Sequence, residues 1–97
     1  MIYILNAIVP PKGGQGILKI TPASLQEVLE AVAMGAKSYI GHPATAAIIG
    51  LPPNRGEAKP EAGDVAYVLR LRSRPAVSGV EVKVGPEDLE ILRVEYL

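Results

Sequence analysis

The chain has 97 residues, 48% of them hydrophobic, with ten basic and ten acidic side chains that cancel in net charge. That balance excludes a disordered tail and a bulk polyanion binder, and the length predicts one small domain over residues 1–97 whose modest core would gain from pairing with a second copy. With no cysteine and a single histidine, a disulfide scaffold, a thiolate zinc site and a histidine metal cluster within one protomer are all excluded.

No apolar run reaches the roughly 20 residues of a membrane span. The expectation is a soluble, cytoplasmic protein that works without metal or cofactor, and the nine prolines with no Cys or Trp fit a thermophilic source. Ile2 to Val9 is a near-continuous β-prone run of the kind covered on both faces. Asn6, its only polar member, needs a partner: either the backbone satisfies its amide or a ligand does. Pro10 to Gly16 is a glycine-rich loop that lacks the Gly-Lys-Ser/Thr of a Walker motif, and Ile17 to Ile20 reads as a short second strand.

Thr21-Pro22 and Ser24-x-x-Glu27 are overlapping helix-start signals, the second a capping box. Leu25, Val28, Leu29 and Val32 fall on one helical face, and Gly35 ends the helix. Ser38 to Ile40 is a short strand, Gly41 permits a turn, and Pro43 suits the first turn of a helix running to Ile49. The lone histidine, His42, therefore stands at a helix cap. There unpaired N–H groups favour an anion, and a nearby imidazole is suited to proton donation. The plainer reading is that its ring caps the backbone or packs.

Gly50 to Asn54 breaks the chain, and Arg55 to Lys59 is predicted as a strand that the Pro60–Asp64 turn joins to the next as a hairpin. From Val65 onward the pattern alternates, with Val65, Tyr67, Leu69 and Leu71 on one face and Arg70, Arg72 and Arg74 on the other. That basic comb is either a solvated strand face or a rail for phosphates, which the planar guanidinium fork holds bidentately. Pro75 to Val84 reads as a connection with a short strand, Pro86 to Leu89 as one helical turn, and Ile91 to Leu97 as the closing strand. The fold class is α/β: a mixed, largely antiparallel sheet with two helices on one face.

Five pieces in this order, Tyr3-Ile4-Leu5-Asn6-Ala7, Ile40-Gly41-His42-x-x-Thr45-Ala46, Asn54-Arg55, Gly63-Asp64 with Val65 to Leu71, and Arg74, span nearly the whole chain. Together they resemble the viral ring nucleases, type III anti-CRISPR proteins of archaeal viruses with relatives in phages and bacteria. The resemblance implies a homodimer holding cyclic tetra-adenylate in a shared cleft and cutting it into linear adenylates with 2′,3′-cyclic phosphate ends, which would shut off type III CRISPR signalling. It implies His42 and Arg74 as catalytic residues, with Asn6, Ala7, Gly41, Thr45, Arg55 and Arg70 as ligand contacts. In such a reaction the ribose 2′-hydroxyl is the nucleophile, so no metal is needed, and His42 would protonate the leaving 5′-oxygen.

Two departures stand out. Val9 occupies the place of a serine, and Pro75-Ala76-Val77-Ser78 replaces an acidic residue shortly after Arg74, which puts base-assisted turnover in doubt. Two other classes stay open, a sponge that binds the cyclic nucleotide without cutting it and a structural or protein-interaction module. With four Tyr and no Phe or Trp there is little stacking surface for long single-stranded nucleic acid.

Overall fold

The computed structural model describes residues 1–72 and 85–97. Its centre is a five-stranded sheet formed by β1 (Ile2–Leu5), β2 (Leu18–Pro22), β3 (Lys37–Ser38), β4 (Val65–Leu71) and β5 (Leu89–Tyr96), in the spatial order β2-β5-β4-β1-β3. β1 runs parallel to both neighbours, matching Ile4 with Ser38 on one side and with Tyr67 on the other. β5 runs antiparallel to β4 and β2, and these are the longer pairings. The sheet is thus mixed, with its antiparallel half the more extensive.

Both helices lie on the same face. α1 (Leu25–Ala33) starts at the predicted capping box: Ser24 Oγ accepts the Glu27 N–H while the Glu27 carboxylate accepts the Ser24 N–H, which satisfies two otherwise unpaired donors. Gly35 follows at φ +91°, the left-handed conformation that ends the helix without a Cβ penalty. α1 buries Val28 and Ala31, whereas Leu29 is 39% exposed, so the inward stripe is narrower than the apolar spacing predicts. α2 (Pro43–Ile48) starts where expected, with His42 at its N-cap and Pro43 in its first turn.

The two faces of the sheet carry separate apolar clusters. Ile4, Leu69 and Leu89 pack beneath Val28, Ile40, Ala46 and Ile49 on the helical face. Tyr3, Leu5, Ala66, Val68, Val94 and Tyr96 form the other, closed by irregular chain through Ala58 and Val9. The Tyr96 hydroxyl donates to the Val9 carbonyl at 2.7 Å, and the Lys12 N–H to the Pro60 carbonyl at 2.8 Å, which tie that irregular cover to the sheet.

Three expectations need correction. β1 ends at Leu5 rather than Val9, because its two parallel partners supply no ladder beyond that point. Arg55 to Lys59 is not a strand, and the Pro60–Asp64 turn makes no hairpin: β4 pairs with β1 and β5, while residues 55–59 cross the sheet as cover. The face that carries Arg70 is core as far as Val68, since Ala66 and Val68 are fully buried on it, so β4 is exposed only at its far end. The expected strand within Pro75–Val84 lies outside the described residues.

Candidate functional site

The site forms where three irregular segments meet at one end of β1. Leaving the sheet after Leu5, the chain exposes Asn6, so its amide is available and is not a buried group held by backbone. After β3, Tyr39 N–H still bonds the Ile4 carbonyl at 2.8 Å, and the chain then turns through Gly41 to His42. The third segment is residues 54–56. Asn54 N–H donates to the Ile40 carbonyl at 2.9 Å, its amide nitrogen donates to the Ser38 carbonyl at 3.0 Å, and its Oδ1 accepts the Gly56 N–H at 2.9 Å. Asn54 thus clamps Arg55 against the strand-to-helix turn.

Together they enclose a surface cleft of about 400 Å³ lined by Asn6, Tyr39, Gly41, His42, Pro43, Arg55 and Gly56. A second, of about 290 Å³, adjoins it through Asn6, Tyr39 and Gly56 and adds Leu5, Val9, Glu57 and Ala58. A few convergent polar groups, here Asn6, His42 and Arg55, are what orient a ligand in a small-molecule site.

Gly41 has a reason different from the turn the sequence suggests. Its φ is not positive; instead a Cβ there would stand 3.0 Å from Arg55 Cγ, so the glycine gives the arginine stem room to cross. Arg55 is exposed beyond that crossing and supplies a cation to the cleft.

His42 is exposed, and its side chain makes no hydrogen bond to the helix backbone, so the capping alternative does not describe it. Its Nδ1 lies 3.4 Å from Thr45 Oγ1, a hydroxyl on a residue only 4% exposed. Contacts of this length in a ligand-free site commonly tighten when the ligand arrives. α2 has only six residues, so the helix-end anion argument carries less here than the Arg55 guanidinium does.

The remaining expected residues divide. Ala7 is exposed next to Asn6 but does not line either cleft. Thr45 touches His42 rather than open cleft space. Arg70 does not line the cleft; its guanidinium pairs with Glu90 at 3.2 Å, an exposed pair. Arg72 turns back onto β5, its Nε donating to the Leu89 carbonyl at 3.1 Å. Arg74 lies outside the described residues.

Tyr39 was not among the expected contacts, yet it walls both clefts, with its ring 5.9 Å from Tyr3 and the Lys37 ammonium 5.4 Å from its centroid. Its place one residue after β3, two before the Gly41 turn, is the signal that could have found it. Among the described residues no cluster of three metal-ligating side chains occurs, and no helix is long and apolar enough to cross a membrane.

The model of the STIV B116-like family matches residues 2–96. The chain belongs to the STIV B116-like family. Among solved structures, B116 of Sulfolobus turreted icosahedral virus superposes with a TM-score of 0.75 over 97% of each chain at 17% identity, which supports the shared B116-like fold and leaves the chemistry to be argued from the residues. No curated protein sequence matches the chain.

Proposed function

We propose that the protein is a metal-independent ring nuclease of viral origin that binds cyclic tetra-adenylate between two copies of the chain and opens it. The observation that carries this reading is the convergence of His42, Arg55 and Asn6 in one cleft, with the ring of His42 making no bond to the backbone of the helix it precedes. Such a site offers a proton donor, a phosphate-binding cation and an amide able to read an adenine edge.

In the proposed reaction the 2′-hydroxyl oxygen of one adenylate bonds to the adjacent phosphorus and loses its proton to solvent. The bond from phosphorus to the 5′-oxygen breaks, and His42 delivers a proton to that oxygen. The products are a 5′-hydroxyl and a 2′,3′-cyclic phosphate. Positioned general acids of this kind contribute roughly 10² to 10⁴ in rate. Arg55 holds a phosphate of the ring, and Arg74, carried over from the family resemblance, serves the transition state.

One observation favours a second reading. Among the described residues lining the His42 cleft there is no carboxylate, and Glu57 lines only the neighbouring one, so nothing there assists removal of the 2′ proton. A protein that binds the cyclic nucleotide and cuts it slowly or not at all, a sponge, fits that composition.

The two are separated by mixing purified protein with cyclic tetra-adenylate in excess chelator and resolving the products. Linear adenylates with cyclic phosphate ends support the nuclease. Retention of intact ligand by the protein supports the sponge, and neither binding nor cleavage rejects both.

A further inference from the structure

We infer that Thr45 is a positioning residue for His42, setting which ring nitrogen carries the proton offered to the cleft. This deepens the nuclease reading and rests on it for its catalytic consequence, though not for its structural one.

His42 is the N-cap of α2 and Thr45 stands three residues later, the spacing at which an N3 side chain reaches back to the cap. In α1 that reach joins Glu27 to the Ser24 backbone; in α2 it joins a hydroxyl to the imidazole itself. Thr45 is 4% exposed, so close packing leaves its side chain little room to change rotamer. His42, by contrast, is exposed and has no other anchor at the helix end.

A hydroxyl both donates and accepts, whereas the neutral imidazole has one of each. In the protonated ring Nδ1–H donates to Thr45 Oγ1, leaving Nε2–H as the proton that can be given to the cleft His42 lines. Once Nε2 has given it up, the neutral ring is the Nδ1–H tautomer, and the same hydroxyl accepts the same bond. The contact with Thr45 is thus kept through the transfer. The role expected of Thr45 from the family resemblance, a ligand contact, is thereby replaced by a role through His42.

The single histidine makes the test direct, because ¹⁵N-histidine labelling yields the ring nitrogens of one residue only. At a pH where the ring is neutral, long-range ¹H–¹⁵N correlation should show wild type enriched in the Nδ1–H tautomer, the minor form of free histidine. Thr45→Val should relax toward the mixture of free histidine, and Thr45→Ser should restore the wild-type pattern.

On the same preparations, single-turnover opening of cyclic tetra-adenylate should fall about 10- to 100-fold in Thr45→Val, the range for a lost orienting partner, with ligand affinity within a few-fold and recovery in Thr45→Ser. A wild-type ring in the Nε2–H form or the mixture of free histidine, or a Thr45→Val spectrum identical to wild type, overturns the inference. If wild type fails to cleave while the spectra behave as stated, it is the nuclease reading that fails and the positioning role that stands.

Discussion

His42 and Arg55 reach the same cleft by different means, and substitution should separate their contributions. Since the His42 ring makes no bond to the helix backbone, His42→Ala should leave the melting temperature nearly unchanged while lowering single-turnover cleavage by roughly 10² to 10⁴. An unimpaired rate per folded molecule would remove His42 from the mechanism. Gly41→Ala tests the crossing beneath Arg55. The new methyl meets Arg55 Cγ at 3.0 Å, so the guanidinium must move, and ligand affinity should drop several-fold with little change in thermal stability. Equal affinity for Gly41→Ala would show that Arg55 does not depend on that path.

Asp64 governs the acid side of stability. Its carboxylate accepts the Glu61 N–H at 2.8 Å and the Met1 ammonium at 3.1 Å, and these hold its pKa below the ordinary carboxylate value, the Glu61 bond being the larger cause. A depressed acid stabilises the fold above its unfolded pKa of about 3.9 and loses that contribution as pH falls through the folded value. Melting temperatures measured from neutral pH downward should therefore decline for wild type below about pH 4 and decline less for Asp64→Asn, which starts lower. Parallel curves would deny Asp64 this role.

At the level of elements, local signals were readable and pairings were not. The Ser24–Glu27 box and Gly35 bound α1 because caps act within a single turn, and Ser24→Ala should cost about 0.5–2 kcal/mol in urea unfolding. A loss below a few tenths would mean the box is redundant. The start of α2 was equally local, carried by Pro43. By contrast, Arg55 to Lys59 was expected to pair with β4 across the turn, but β1 takes one side of β4 and β5 the other, so no side is left for a hairpin partner. Alternation along β4 mistook a strand buried on both faces for an amphipathic one, since Ala66 and Val68 are small enough to pass as neutral positions. In the candidate site, His42 and Asn6 stood out as residue types, whereas Gly41 and Arg55 were drawn to it by the family resemblance. Tyr39 and the clamp by Asn54 were not legible, because each depends on segments more than a dozen residues apart meeting in space.

For the molecule as a whole, charge is neutral in sum and local in effect. If the cleft takes a phosphate ring, affinity for cyclic tetra-adenylate should weaken as salt rises from about 0.05 to 0.5 M, through screening of Arg55 and its neighbours. Arg70→Ala should change that dependence little, given its pairing with Glu90 away from the cleft. A salt-independent affinity would place the ligand elsewhere. Calorimetric titration at two ionic strengths decides it.

The strand order also bears on how the protein is made. β1 finds only the two-residue β3 among partners near it in sequence, and its longer ladder waits for residues 65–68. β4 in turn waits for β5, the last strand, to fill the place between it and β2. Contacts of such sequence separation slow folding. A nascent chain that has reached residue 64 therefore has β1 with only the two residues of β3 to pair with, and the His42 cleft, whose three walls come from residues 6, 39–43 and 55–56, has all its lining residues made before the central strand β4 that anchors β1.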